Sequence, residues 1–268
     1  MTPAFKREFE RHRDERASEL FEIATLLVET GLTPDAGPIR QAAGQCHGAI
    51  RIAGRDQPDA GRAYWGYEIA DLRVTLEDQR HVRPRSAVMG EATGILSVTL
   101  QEYVPDDEHS VGQSYALLRQ IVTDFYVDVF HMVDGVQHPL RAAWHVDTHL
   151  YTTTPSHAVH PRFHFQVGGE RLDEIDESIR GIFMPETPRV PCAPLDAILA
   201  LDFVLAQYCG ADWTSLRDRE PRYGRVRKKP MQRYWSPYFR TLADGIDNLD
   251  TIPGGGGACT LIPNIFVG

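Results

Sequence analysis

The sequence predicts an α+β fold, with helices at both ends and an antiparallel sheet between them. Three observations predict it. Apolar residues recur at helical spacing in the first fifty residues, alternation of period two takes over after residue 70, and a nearly all-apolar helical stretch follows residue 195. The strands follow one another rather than alternating with helices, so a parallel doubly wound sheet is not expected. We read residues 1–252 as one α+β domain, with a helical part at 1–54, the sheet at 65–169 and a helical part at 190–250. A glycine hinge and an apolar tail occupy 253–268.

The first helix has Thr2 to cap it, Pro3 in its first turn, and Phe5, Phe9, Leu20, Ala24 and Leu27 at helical spacing. Gly31 is its stop. The mixed charges of residues 6–16 fit an exposed face with ion pairs one turn apart. A second helix starts near 35–38, places Ile39, Ala42, Ala43, Cys46 and Ile50 on one face, and ends at Gly54. Leu72, Val74 and Leu76 then alternate with polar residues, as do Leu96, Val98 and Leu100, which predicts two strands separated by a loop at 81–90. Residues 115–133 read either way, with a helical first half and a strand over 126–133. Strands at 142–152 and 161–168 follow, and the short connection between them demands antiparallel pairing. The helix at 195–208 is apolar nearly all round and belongs in the core. A last helix spans 231–248. Gly254 to Gly257 form the hinge, and the tail beyond docks as an edge strand or against a partner protein.

Composition narrows the class. Apolar residues make up 42% and charged residues 24%, as in ordinary globular domains. No apolar run is long enough to span a membrane, and the N-terminus lacks the pattern of a secretory signal, so a cytoplasmic protein is expected. Four cysteines, Cys46, Cys192, Cys209 and Cys259, form no CxxC pair, which argues against a cysteine zinc knuckle. The net charge of −9 argues against broad non-specific binding of nucleic acid. No glycine-rich phosphate loop is present, so no nucleotide cofactor is expected.

Five of the eleven histidines lie between residues 145 and 164, which singles out the central strands. On the first strand Trp144, Val146, Thr148 and Leu150 face one way, and His145, Asp147 and His149 the other. On the second, Phe163, Phe165 and Val167 oppose His164 and Gln166. If the apolar faces share the core, the polar groups become neighbours, with His157 and His160 in the connection. Imidazoles and a carboxylate on one rigid surface suit zinc or another divalent metal, with His149, His160, His164 and Asp147 as ligands. His145, Asp147, His149 and His164 are equally suited to acid–base work. The other reading is the solvated face of an antiparallel sheet, where polar alternation is ordinary. A one-residue register slip would disperse the cluster.

Residues 217–233 carry eight basic and two acidic side chains, with Tyr223, Tyr234 and Trp235 among or beside them. Arg225, Arg227, Lys228 and Lys229 are candidates to hold the phosphates of a nucleotide or nucleic acid. A solvated loop, or a patch docked on the protein's own acidic surface, fits the composition as well. Cys46 reads as a buried structural thiol and Glu68 as a surface carboxylate.

The segment His160-Pro-Arg-Phe-His-Phe-Gln-Val-Gly, followed by Arg189-Val-Pro and Phe203-Val-Leu-Ala-Gln-Tyr, resembles an uncharacterised group of bacterial proteins encoded near phage-defence and mobile-island genes. That resemblance covers residues 160–208 and implies a setting more than a reaction. Cys46, Glu68, His160 and His164 also occur in the order of the Cys-Glu-His-His family that accompanies bacterial ubiquitin-like conjugation operons. That resemblance implies that Cys46 and Glu68 belong to the site. The expected function is a metal-dependent hydrolase of a phosphodiester or nucleotide. The alternatives are an adaptor that binds nucleic acid or a partner protein, and an enzyme with Cys46 as nucleophile.

Overall fold

A computed structural model describes residues 2–76, 87–88, 93–148, 160–161, 163–168, 170–172, 190–247 and 266–267. Helix α1 runs Pro3–Glu29; Thr2 Oγ1 accepts the Phe5 amide, and Pro3 needs no hydrogen-bond partner at the first position. Gly31, at φ +71°, ends it, with its own amide bonded to Val28 and that of Leu32 to Leu27. Helix α2, Gly37–Gln45, is shorter than expected. The backbone leaves the helix before Gly48, where Arg13 donates to the carbonyls of Cys46 and Gly48. Ile50 is therefore exposed, not part of the helix face.

Strand β1 (Arg51–Ile52) leads to β2 (Ala63–Thr75), β3 (Ala87–Val88) and β4 (Thr93–Tyr103). Helix α3 (Ser114–Leu117) is a single turn before β5 (Leu118–Val133) and β6 (Val136–Thr148). The helical reading of the first half of 115–133 is thus corrected. Gln120, Val122, Asp124 and Tyr126 alternate with the buried Ile121, Thr123, Phe125 and Val127, a strand period that helix spacing cannot satisfy. Asp134 and Gly135, both at positive φ, make the two-residue turn that joins β5 to β6. Strands β7 (His160–Pro161), β8 (Phe163–Val167) and β9 (Val190–Pro191) follow. Then come helices α4 (Ala197–Tyr208), α5 (Gly210–Arg219) and α6 (Pro221–Pro230), a π-helical turn (Met231–Trp235), α7 (Ser236–Asp247) and the terminal strand β10 (Phe266–Val267).

The protein is α+β. Strands β1, β2, β4, β5, β6, β8 and β9 hydrogen-bond in that order, every pair antiparallel, and β3 joins β5. One face of this meander is apolar and covered by helices. Phe9 meets Trp65 edge to face, Phe125 stacks between Trp144 and Tyr208, and Phe163 meets Tyr238. Trp144 Nε1 donates to Tyr208 at 3.1 Å and Thr123 Oγ1 to the Leu195 carbonyl at 3.0 Å. Gly94 permits the stack, because a Cβ there would lie 2.6 Å from the Phe125 ring. The expected core helix forms as α4, with Asp196 as its cap. Of the readings for 217–233, the solvated loop does not hold: the segment is helical, and the apolar residues Tyr223 and Val226 of α6 are buried one turn apart. The tail pairs as a strand, with Phe266 opposite Pro161 and Val267 opposite His160. The hinge at 253–257 and the loops at 81–86 and 153–159 lie outside the described residues.

Candidate metal centre

The β6–β8 ladder sets Trp144 opposite Val167, His145 opposite Gln166, Val146 opposite Phe165, Asp147 opposite His164 and Thr148 opposite Phe163. Opposed residues of an antiparallel pair share a face. Burial decides which: Trp144, Val146 and Phe163 pack under the helices, so His145, Asp147, His164 and Gln166 share the other face. The register expected from alternation is the one the chain adopts.

On that face His145, Asp147 and His164 each turn one ligand atom inward, all within 4.8 Å of one another. Nδ1 of His164 lies 3.0 Å from Oδ1 of Asp147. The imidazoles of His145 and His164 meet edge to face, with ring centres 5.8 Å apart. Two ligands about 2.0–2.1 Å from a tetrahedral zinc are about 3.4 Å apart, so these spacings are close to what an ion would draw together. His164 is wholly buried and the Asp147 side chain is 23% exposed. A plain solvated face does not bury its central imidazole. His145 and Asp147 keep part of their surface exposed, so the cluster is in reach of solvent.

The other candidates fall in different places. His149 and His157 lie outside the described residues, and His160 is on β7 in register with Val267. Arg225, Arg227, Lys228 and Lys229 lie on α6, which packs on α1 and α4 in the helical layer, across the sheet from His164. Much of that basic segment meets the protein's own carboxylates. Arg222 pairs with Glu29 and Glu220, Arg227 with Asp202, and both Lys229 and Arg233 with Glu19. Arg225 and Lys228 are exposed. Cys46 is in the core, its Sγ 3.6 Å from the Ala42 carbonyl, and burial pushes its thiol up to about 12. Glu68 is exposed, on the outer face near the β2 edge. The structure does not bring Cys46 to His164.

Two groups escaped the sequence reading. Asp124 stands directly opposite His145 in the β5–β6 register, which puts a second carboxylate beside the cluster. Its signal was the period-two pattern around it, hidden by the helical reading. The second is a buried polar network beneath the helices. Arg16 donates to Glu102 at 2.9 Å and to Ser114 at 2.6 Å, and Tyr234 donates to Glu102 at 2.6 Å. Burial disfavours the ionised Glu102, but Arg16, His12 and Tyr234 outweigh it and hold the carboxyl below its usual range. Burial raises nearby Glu19 to about 7 against the pull of Arg16 and Lys229, and Asp196 to about 6. These residues are far apart in the chain and carry no local signature.

No helix among the described residues is long and apolar enough to cross a membrane. Comparison with protein-family models, with curated proteins and with solved structures finds no match.

Proposed function

We propose that this chain is a metal-dependent hydrolase in which His145, Asp147 and His164 hold one divalent transition metal, zinc or manganese, and act on a phosphodiester or nucleotide. The observation that carries the reading is the convergence of three ligand atoms from two hydrogen-bonded strands within 4.8 Å. Two imidazoles and one carboxylate leave coordination positions open, the composition of catalytic rather than closed structural zinc sites. A metal so held lowers the pKa of its water toward 7 and polarises a phosphoryl oxygen. Rigid adjacent strands supply the ligands, so little ordering is needed on binding. His149 and His160 are further candidate ligands. We extend the proposal to a bacterial defence setting, which is the expectation drawn from the sequence of residues 160–208.

The same ligand set also serves non-haem Fe(II). Iron as the native metal would redirect the reading from hydrolysis to oxygen chemistry. The test is cleavage of bis(p-nitrophenyl) phosphate by zinc- or manganese-loaded protein beside Asp147→Asn. Nitrophenol release by the wild type and only the uncatalysed rate with the variant is the expected result. Equal rates for the two would contradict it.

A further inference from the structure

We propose that the groove between α1 and α6 is a second binding site, for a small phosphate monoester of a hydroxylated sugar. Arg225 and Lys229 hold the phosphate, and Glu22 accepts from the sugar hydroxyls. The site lies in the helical layer, across the sheet from His164, and does not rest on the metal reading.

Helix periodicity builds the groove. Arg222, Arg225, Val226 and Lys229 recur at helical spacing along one face of α6. Ser18 and Glu22 stand one turn apart on α1, with Glu19 beside Ser18. Where the two helices pack, these side chains line an open groove of about 350 Å³. Small-ligand sites measure about 300–1,000 Å³. Val226 and Glu19 are buried beneath the groove, while Ser18, Arg225 and Lys229 are exposed at its rim.

The cations of the groove are unequally engaged. Arg222 is taken by Glu29 at 2.5 Å and Glu220 at 2.9 Å. Lys229 stands 3.5 Å from Glu19, whose two oxygens also accept from Arg233 at 2.6 and 3.0 Å. One carboxylate therefore serves two cations. Arg225 forms no ion pair and no hydrogen bond among the described residues. The carboxylate whose charge reaches it, Glu220, is held by the amide and guanidinium of Arg222. A guanidinium with its fork free binds a phosphate through two parallel N–H bonds, and an ammonium one turn away adds a point charge.

Glu22 sets the rest of the ligand. It stands 3.9 Å from Arg222, too far for a hydrogen bond, and keeps its acceptor capacity. It repels a bare phosphate and accepts from a hydroxyl, so the groove favours a phosphate that carries hydroxyls. A polynucleotide fits less well. From Arg222 to Lys229 the helix rises only about 10 Å, room for one or two phosphates, and the chain carries a net charge of −9.

The probe is ribose 5-phosphate, titrated calorimetrically in chelator-treated buffer beside inorganic phosphate and a single-stranded RNA oligonucleotide. Wild type is compared with Arg225→Ala, Arg225→Lys, Glu22→Ala, Lys6→Ala and Asp147→Asn, each melted to verify the fold. Arg225→Ala is expected to bind ribose 5-phosphate about 10–100-fold more weakly, and Arg225→Lys to recover part of the loss. Glu22→Ala is expected to narrow the preference for ribose 5-phosphate over inorganic phosphate. Lys6→Ala, which removes a cation outside the groove, and Asp147→Asn are expected to match wild type. A wild type that binds no ribose 5-phosphate, or an Arg225→Ala that binds it as wild type does, would overturn the site. Equal losses in Lys6→Ala and Arg225→Ala would show diffuse charge and overturn it too. Loss in Asp147→Asn would move the ligand to the metal centre, and RNA binding through Arg225 without ribose 5-phosphate binding would make the groove a nucleic-acid surface; both contradict the proposal. An unchanged preference in Glu22→Ala would overturn the sugar assignment.

Discussion

Across the β6–β8 ladder, Nδ1 of His164 stands 3.0 Å from Oδ1 of Asp147; the imidazole is wholly buried while the carboxylate still reaches solvent. A metal seated there binds the folded chain and not the unfolded one, so it stabilises by mass action. Zinc at about 100 times its dissociation constant should raise the unfolding free energy by about 2.7 kcal/mol. Asp147→Asn should lose that increment and keep most of the metal-free stability. Thermal melts with and without zinc check this, and equal shifts in both proteins would contradict it.

Arg16 and Glu102 form a buried pair in which each needs the other. Glu102→Gln keeps an acceptor for Tyr234 but leaves the guanidinium without its counter-charge. It should cost about 3–5 kcal/mol, read by urea unfolding. Arg16→Met with Glu102→Gln removes both charges and should recover a large part of that loss. A single variant as stable as wild type would show that the pair is not what holds α1 to β4.

Burial pushes the Asp196 carboxyl up to about 6 against the pull of the Leu199 amide and of Arg16. An unfolded aspartate ionises near 3.9. As pH rises between these values the unfolded chain releases a proton that the folded chain keeps, so stability falls from about pH 4 to about pH 6 and the loss then stays. Asp196→Asn still caps α4 and removes this titration. The variant should gain on wild type across that window, by about 1–3 kcal/mol at pH 7. Parallel stability profiles for the two proteins would rule Asp196 out as the source.

Cys46 should resist iodoacetamide at neutral pH in the native protein and react once urea unfolds it, because burial holds its thiol at about 12. Mass spectrometry of the alkylated peptides distinguishes it from the other cysteines. Rapid native labelling of Cys46 would revive the reading in which it is a nucleophile.

The histidine face was legible because its logic is local. Alternation assigns faces, a short connection forces antiparallel pairing, and burial of Trp144, Val146 and Phe163 selects the register. The β5–β6 turn was equally legible in Asp134-Gly135, a two-residue hairpin signal, and would have shown Leu118–Val133 to be one strand with Asp124 on its outer face. The fate of the basic segment was not legible. Whether Arg227 and Arg233 meet solvent or a carboxylate depends on Asp202 and Glu19, which only the tertiary fold brings to them. The Arg16 network joins α1, β4 and the π-helical turn, and no periodicity announces such a contact.

The most direct test of the central claim is metal content by inductively coupled plasma mass spectrometry, on wild type beside Asp147→Asn and His145→Ala/His164→Ala. About one zinc, manganese or iron per chain in the wild type, and none in a folded variant, is the expected result. A wild type that holds no metal as purified and takes none up from excess zinc, manganese or iron would contradict the claim. It would leave His145, Asp147 and His164 as a polar cluster of the sheet.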